Sequence, residues 1–409
     1  MKKICLLALA VATFLGANAQ LSVVKEAERA MKNGEKTSKV VEIITPAFTN
    51  PETSGDVNTW YIPGASAFKE YDHMLGLLQF NKLPENGKTT MGHLLLDGYT
   101  YFGKAFPLDS IPDAKGKIKP KKSKEMLNTL AGHYNDYLNF GVELYNERDY
   151  QGAYDLWEIY LDAPQNAELA KLLNANKVMP ADSLLANIAY NQGLAAWQLE
   201  NHQAALDAFR KGIKLGYDKK QIYDNALAVA KNLGNNEEVL AIAQAAVPLY
   251  GSEDSAYMAE IVNYYLQAKD YDKAFDIINA ALAQEPNNAK YYIVQGVLYE
   301  NVNNNSAAKD SYENAVRLDA ENAQANFYYG RMICSEAFNL LDSAPTLQSE
   351  YDKYYSEKVA PLLNEAATVL EGAYKLDADN TDILRLLESV YYNLNDEKML
   401  NDVRKRMQY

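Results

Sequence analysis

The sequence predicts an all-α solenoid, a fold in which antiparallel helix pairs follow one another along the chain. Two observations support this fold class. Alanines recur at a spacing of 34 residues, because Ala274 is matched by Ala308 and Ala281 by Ala315. Small residues such as Gly141 also recur inside segments whose apolar residues follow the helical period, where no turn is expected. A fixed period of this length is typical of repeat architectures.

The small residues are explained by helix pairs that cross closely. In the stretch FGVELYNERDYQGAYDLWEIYLDAP (140–164), Gly141 falls in the first helix and Ala153 in the second. Helices whose axes lie about 8–10 Å apart leave no room for two large side chains at the crossing point. A large residue such as Trp157 then fills the space beside the crossing. The glycines at the matching position of other units are Gly193, Gly296 and Gly330.

The period, together with small residues at the eighth and twentieth positions, resembles the tetratricopeptide repeat family. The resemblance implies a right-handed superhelix of helix–turn–helix units, in which the first helix of each unit lines a concave groove. Two units are extended between their helices, one starting near residue 57 and one at residue 323. The expected units are 22–51, the one from 57, 134–164, 186–219, 220–253, 255–288, 289–322, the one from 323, and 381–409.

Residues 1–19 predict a cleavable signal peptide. Lys2 and Lys3 precede an apolar run that is too short to span a bilayer, and Ala17-Asn18-Ala19 resembles a cleavage site. We therefore expect export to the periplasm or outer membrane of a Gram-negative bacterium. After the leader we expect an N-terminal repeat-like region over 20–111 with one extended hairpin, a lysine-rich connector and helix start over 112–133, and a repeat array over 134–409 with an extended hairpin at about 338–363 and a C-terminal capping helix.

Composition and motifs exclude several classes of function. The formal net charge is −14, and such a surface repels nucleic acid phosphates and anionic lipids. We expect neither a nucleic acid partner nor membrane insertion after signal cleavage. The four histidines lack metal-ligand spacing, and no nucleotide-binding or catalytic motif is present. The sequence therefore predicts a non-enzymatic protein without a cofactor or metal.

A column of asparagines has two interpretations, a groove in which a partner binds or a solvated polar face, and we predict the groove. The sixth position is asparagine in three consecutive units, and each side-chain amide offers both donors and an acceptor to an extended peptide backbone. The column is similar to the asparagine ladder in the repeat domain of protein O-linked N-acetylglucosamine transferases. Aromatic residues nearby can pack on side chains or sugar rings. The predicted groove residues are Asn139, Asn191, Asn225, Tyr145, Tyr190 and Trp197.

These features predict an interaction scaffold of the bacterial envelope, which binds an extended peptide or a helix of a partner protein in the groove. The alternative is a glycan-binding or transport-associated protein of the outer membrane or periplasm, because the chain has 31 tyrosines and tyrosine rings stack on sugars. The lysines between 115 and 124 have two interpretations as well. They meet an acidic polymer or the acidic face of another copy, or they form a solvated loop.

Overall fold

The computed structural model describes residues 21–112 and 116–407. All regular secondary structure within these ranges is helical. The all-α prediction is thereby confirmed. The predicted leader, residues 1–19, and Lys115 of the connector lie outside the described residues. The chain forms two compact units, and the boundary between them falls between Leu233 and Gly234. This boundary lies inside the expected repeat 220–253.

The first unit contains the extended hairpin and the first complete helix pairs. In it α3 packs along α4, α6 against α7, and α9 against α10, while the intervening helices α5 and α8 pack against each other. The helices are α1 (21–32), α2 (Thr37–Thr49), α3 (Val57–Gln79), α4 (Gly87–Asp109), α5 (Ser123–Gly132), α6 (Tyr134–Asn146), α7 (Tyr150–Asp162), α8 (Ala167–Ala175), α9 (Asp182–Gln198), α10 (His202–Lys214) and α11 (Lys220–Asn232).

The second unit repeats the same pairing. Here α13 packs against α14, α15 against α16, α17 against α19, and α20 against α21. A single wide helical turn, Tyr355–Val359, joins α18 to α19. The helices are α12 (Asn236–Tyr250), α13 (Ala256–Gln267), α14 (Tyr271–Gln284), α15 (Ala289–Asn301), α16 (Asn305–Leu318), α17 (Ala323–Asp342), α18 (Gln348–Tyr354), α19 (Ala360–Leu376), α20 (Thr381–Asn393) and α21 (Glu397–Arg406).

The mid-helix glycines lie where paired helices touch. Gly141 is buried in α6, and a Cβ atom built there would overlap the indole ring of Trp157 on α7. Gly296 meets the ring of Tyr312 in the same way. The close crossings inferred from the sequence are therefore present, because no larger residue fits at these points without displacing an aromatic ring.

The extended hairpin of the first unit, α3 and α4, contains two contacts between a glycine and an aromatic ring. In one the glycine is on α3, and in the other it is on α4. A Cβ on Gly64 of α3 would lie 2.6 Å from the ring of Phe102 on α4. A Cβ on Gly98 of α4 would lie 2.6 Å from the ring of Phe68 on α3. Each helix thus receives one ring from its partner, and the two long helices are held together at two neighbouring points.

A recurring turn joins many successive helices. A residue in the left-handed region is followed by an Asp or Asn, whose side chain accepts a hydrogen bond from a backbone N–H in the first turn of the next helix. For example, Glu200 has φ 58°, and Asn201 Oδ1 accepts from the N–H of Ala204 at 3.2 Å. The other pairs are Arg148–Asp149, Gly234–Asn235, Lys269–Asp270, Asn303–Asn304 and Asn395–Asp396.

Two neighbouring substitutions in one turn should have opposite effects on stability. Asn201→Ala removes the cap of α10 and should lower the free energy of unfolding by about 1 kcal/mol. Glu200→Gly relieves a strained left-handed residue and should raise it by about 0.5–1 kcal/mol, because the relief exceeds the entropic cost of glycine. Urea unfolding followed by circular dichroism measures both. A loss of stability in Glu200→Gly would contradict the strain assigned to this turn.

Cys334 is buried in the core of the second unit, with 1% of its surface exposed. Burial raises the pKa of its thiol to about 12, so the reactive thiolate is scarce at neutral pH. In a Cys5→Ser variant, in which Cys334 is the remaining thiol, we expect the folded protein to react with Ellman's reagent only at the rate at which the second unit opens. Reaction should become fast in denaturant, and a fast reaction without denaturant would show that Cys334 is accessible in the folded state, which would contradict its burial in α17.

Candidate functional site

The predicted groove residues lie on the first helices of three successive pairs. Asn139 is exposed on α6, while Asn191 on α9 and Asn225 on α11 are half-buried. Among the described residues, the side-chain amides of Asn139 and Asn191 have no hydrogen-bond partner. Asn225 differs, because its Nδ2 donates to the hydroxyl oxygen of Tyr190 at 3.2 Å. The column therefore has two available amides and one that is tied to the neighbouring helix pair.

Tyr190 connects the asparagine column to a set of aromatic rings. Its ring stacks on Tyr217, with 4.8 Å between the centroids, and lies 5.9 Å from Phe209. Tyr217 follows Gly216, whose φ of 84° ends α10 and turns the chain back towards α9. The repeat pattern does not identify Tyr217, because this residue lies in the connection between two repeats and outside the positions that define the repeat.

Tyr145 on α6 belongs to the same neighbourhood. Its ring lies edge-on to Tyr150 at 5.1 Å and tilted against Trp157 at 5.8 Å. Burial raises the pKa of Tyr145, and the nearby phenols of Tyr150 and Tyr190 raise it further. The hydroxyl of Tyr145 is therefore protonated at neutral pH and able to donate a hydrogen bond.

Trp197 occupies a different place from the other predicted residues. It is half-buried at the end of α9, and its ring lies edge-on to Phe209 with 6.3 Å between the centroids. The structure thus brings Tyr145, Tyr190 and Asn225 into one cluster. Within the described ranges, the Trp197 ring packs on Phe209, which also lies against Tyr190. The binding role of all six residues stays a prediction.

This surface can hydrogen-bond a backbone and pack against side chains at the same time. The amides of Asn139 and Asn191 supply donors and acceptors, and the half-buried rings of Tyr145 and Tyr190 supply apolar area with polar tips. Over residues 21–112 and 116–407, no group of His, Cys, Asp and Glu is arranged to hold a metal ion. In the same part of the chain, no helix has the length and apolarity needed to cross a membrane.

Two segments of the chain match a known repeat family. Residues 186–215 and 289–322 match the family model of the tetratricopeptide repeat. Among solved structures, a TPR repeats protein from Bacteroides fragilis is 19% identical with a TM-score of 0.33, and the match covers 63% of this chain and 98% of that chain. The C-terminal part of a TPR repeat-containing protein from Cytophaga hutchinsonii is 12% identical with a TM-score of 0.37, covering 66% of this chain and 93% of that chain.

A third similar structure is YrrB, a TPR protein with an unusual peptide-binding site. It is 20% identical with a TM-score of 0.29, and the match covers 46% of this chain and 88% of that chain. No curated protein sequence matches this chain.

Proposed function

We propose that this chain, two segments of which match the tetratricopeptide repeat, is a non-enzymatic scaffold that binds a partner protein along the first helices of its helix pairs. The partner lies across α6, α9 and α11 as an extended segment or a helix. The observation that carries this proposal is the pair of amides on Asn139 and Asn191, which have no partner among the described residues and lie on the helices that carry Tyr145 and Tyr190.

The geometry favours recognition of a backbone over recognition of one particular sequence. Amide side chains at a repeating position supply the same donors and acceptors at each step of an extended chain. The half-buried tyrosines then add apolar contact with alternate side chains, and the Tyr145 hydroxyl can donate a hydrogen bond to the partner. We place this scaffold in the envelope of a Gram-negative bacterium, because residues 1–19 have the pattern of a secretory leader.

Replacing Asn139, Asn191 and Asn225 together by alanine should abolish capture of the partner without unfolding the protein. A photo-crosslinking residue introduced at position 139 or 191 in intact cells should trap a partner protein. Co-expressed wild-type protein should compete for this partner and reduce the crosslinked band, whereas the triple variant should not. The matched control replaces Asn174, Asn314 and Asn364 by alanine, since their amides donate to carbonyl oxygens of their own helices.

Equal capture by the triple variant and its control, with circular dichroism unchanged, would rule out the asparagine surface as the binding site. Binding of an oligosaccharide panel that depends on Tyr145 and Tyr190, with no protein crosslinked at either asparagine, would favour the glycan-binding function instead. Localisation is checked separately by cell fractionation of the full-length chain, which should place the protein outside the cytoplasm.

A further inference from the structure

We propose that the lysine-rich connector before α5, together with the pocket beside it, binds a short acidic segment of a partner protein that carries one large apolar side chain. This inference rests on the proposed scaffold function, but it concerns a surface separate from the asparagine column. We call this surface the N-terminal pocket, and it is lined by residues of α1, α3, α4 and α5 within the first unit.

The N-terminal pocket has an apolar floor. Its volume is about 670 Å³, within the range of roughly 300–1,000 Å³ that is usual for ligand sites. The floor is formed by buried residues of α3 together with Phe102 of α4, and the rings of Tyr61 and Phe68 both pack on Phe102, at 5.8 and 5.2 Å. Such a floor fits an aliphatic or aromatic side chain that leaves water.

The rim of the pocket carries lysines and carboxylates in equal number, and two of its three lysines are paired. The charged rim residues are Lys32, Lys69, Lys122, Glu28, Asp72 and Glu125. The ammonium group of Lys122 lies 3.9 Å above the ring of Tyr61 and 3.6 Å from the carboxylate of Glu125. Lys32 pairs with Glu28 at 2.7 Å across the same rim. Lys69 is exposed at the mouth and has no ion pair with any residue in the described ranges.

The part of the connector next to α5, residues 121–123, is anchored to the end of α4. Asp109, at the end of α4, is only 7% exposed. Its carboxylate accepts hydrogen bonds from the backbone N–H groups of Lys121, Lys122 and Ser123 at 2.6–2.9 Å, and from the Ser123 hydroxyl at 2.7 Å. The backbone of these lysines is therefore fixed beside the pocket, which lowers the entropic cost of binding an anion there.

Charge complementarity points to a short acidic peptide as the occupant. Residues 116–124 contain five lysines and no acidic residue, in a chain whose formal net charge is −14. A nucleic acid or an anionic bilayer would extend over the acidic remainder of the surface and be repelled. The positive excess therefore lies on the connector, since the rim of the pocket is balanced. A short segment that lies along the connector meets mainly lysines, because charges further away than about 8 Å are screened at physiological salt.

The probe for this proposal is a fluorescein-labelled peptide in which one phenylalanine is flanked on both sides by glutamates. Its affinity for the full chain is measured by fluorescence anisotropy. We expect the peptide to bind about tenfold more tightly than the same peptide with alanine in the centre, because burying the ring adds apolar contact. Binding should weaken as salt is raised.

Two charge-matched triple variants test the position of the site. Replacing Lys121, Lys122 and Lys124 by glutamine should weaken binding by about tenfold, since three favourable charge contacts are lost. The control replaces Lys82, Lys214 and Lys219 by glutamine, exposed lysines that do not line the pocket, and should change affinity by less than about twofold. As an independent test, Ala65→Leu narrows the floor and should remove the preference for phenylalanine over alanine.

Three results would overturn the proposal. The first is no binding of the glutamate peptide by the wild-type chain, and the second is an equal effect of the two triple variants. The third is tighter binding of a galacturonate oligomer than of the peptide, which would identify an anionic glycan as the occupant. The alanine variant at Asn139, Asn191 and Asn225 should bind the peptide normally, so failure here is distinguishable from failure of the scaffold function.

Discussion

Replacing Trp157 by alanine should lower the free energy of unfolding of the first unit by about 3–5 kcal/mol. The side chain is 2% exposed, and it fills the space beside the point where α6 crosses α7. Its ring also supports Tyr145 at 5.8 Å, and its Nε1 donates to the carbonyl oxygen of Leu138 at 3.4 Å. Removing it therefore leaves a cavity at the crossing that the rigid helices cannot close.

A larger residue at Gly141, on the opposite helix, should also destabilise the first unit, because it overfills the crossing. Leucine in place of Gly141 would overlap the indole of Trp157, and we expect a loss of about 1–3 kcal/mol or more from overpacking. Because one change creates space and the other fills it, the double variant should be more stable than the sum of the single effects predicts. We expect a coupling energy of about 1–3 kcal/mol between the two sites.

The measurement is urea unfolding followed by far-ultraviolet circular dichroism, which does not depend on the fluorescence of the lost tryptophan. Gly103 is the control, since it also lies inside a helix but is exposed and has no atom within 4 Å of an added Cβ. Gly103→Ala should raise stability by about 0.5–1 kcal/mol. Strict additivity of the Gly141 and Trp157 effects would show that the two residues do not share a packing contact.

The close crossings could be predicted from the sequence, because the contact within one helix pair follows from the local spacing of small and large residues. Gly141 and Trp157 are 16 residues apart, within one helix pair, and the pattern repeats at Gly296 and Tyr312. A glycine in a helix interior costs about 1 kcal/mol relative to alanine, so its recurrence at one position indicates a steric requirement. Tertiary structure beyond one pair was not needed to predict this contact.

The candidate site could be predicted only in part, because its contacts cross from one helix pair to the next. The positions of Asn139, Asn191 and Asn225 follow from the repeat, but their different environments do not. The bond from Asn225 to Tyr190 joins α11 to α9, and the stack of Tyr190 on Tyr217 depends on the path of the chain after α10. Neither contact could be predicted from the position of a residue within its repeat.

The turns show a second kind of limit. Residues with positive φ are usually glycine, yet Arg148, Glu200 and Lys269 occupy the left-handed region in equivalent turns. The left-handed conformation at that position therefore cannot be predicted from the residue type. The Asp or Asn that follows is the usable signal, because its capping bond fixes the start of the next helix.

Replacing Asp109 should have the second large effect on stability, because one carboxylate satisfies four donors. Asp109→Ala leaves three backbone N–H groups and one hydroxyl without this acceptor, and we expect a loss of about 2–4 kcal/mol. Asp182→Asn is the control, since Asp182 is exposed in the first turn of α9 and its loss should cost less than about 1 kcal/mol. Equal losses in both variants would show that the anchored connector contributes nothing to folding.

The pH dependence of the stability lost on replacing Asp109 distinguishes the contribution of its negative charge from that of its side-chain shape. Burial alone would raise the pKa of Asp109, but the hydrogen bonds from Lys121, Ser123 and Lys122 outweigh it and lower the pKa. A carboxyl whose pKa is lower in the folded state stabilises that state fully above its unfolded pKa of about 3.9, and the contribution is lost as the pH falls through the folded pKa. The stability difference between wild type and Asp109→Asn should therefore be constant from about pH 5 to 8 and shrink below about pH 4. A difference that persists unchanged at lower pH would mean that the shape of the side chain, and not its negative charge, holds the connector against α4.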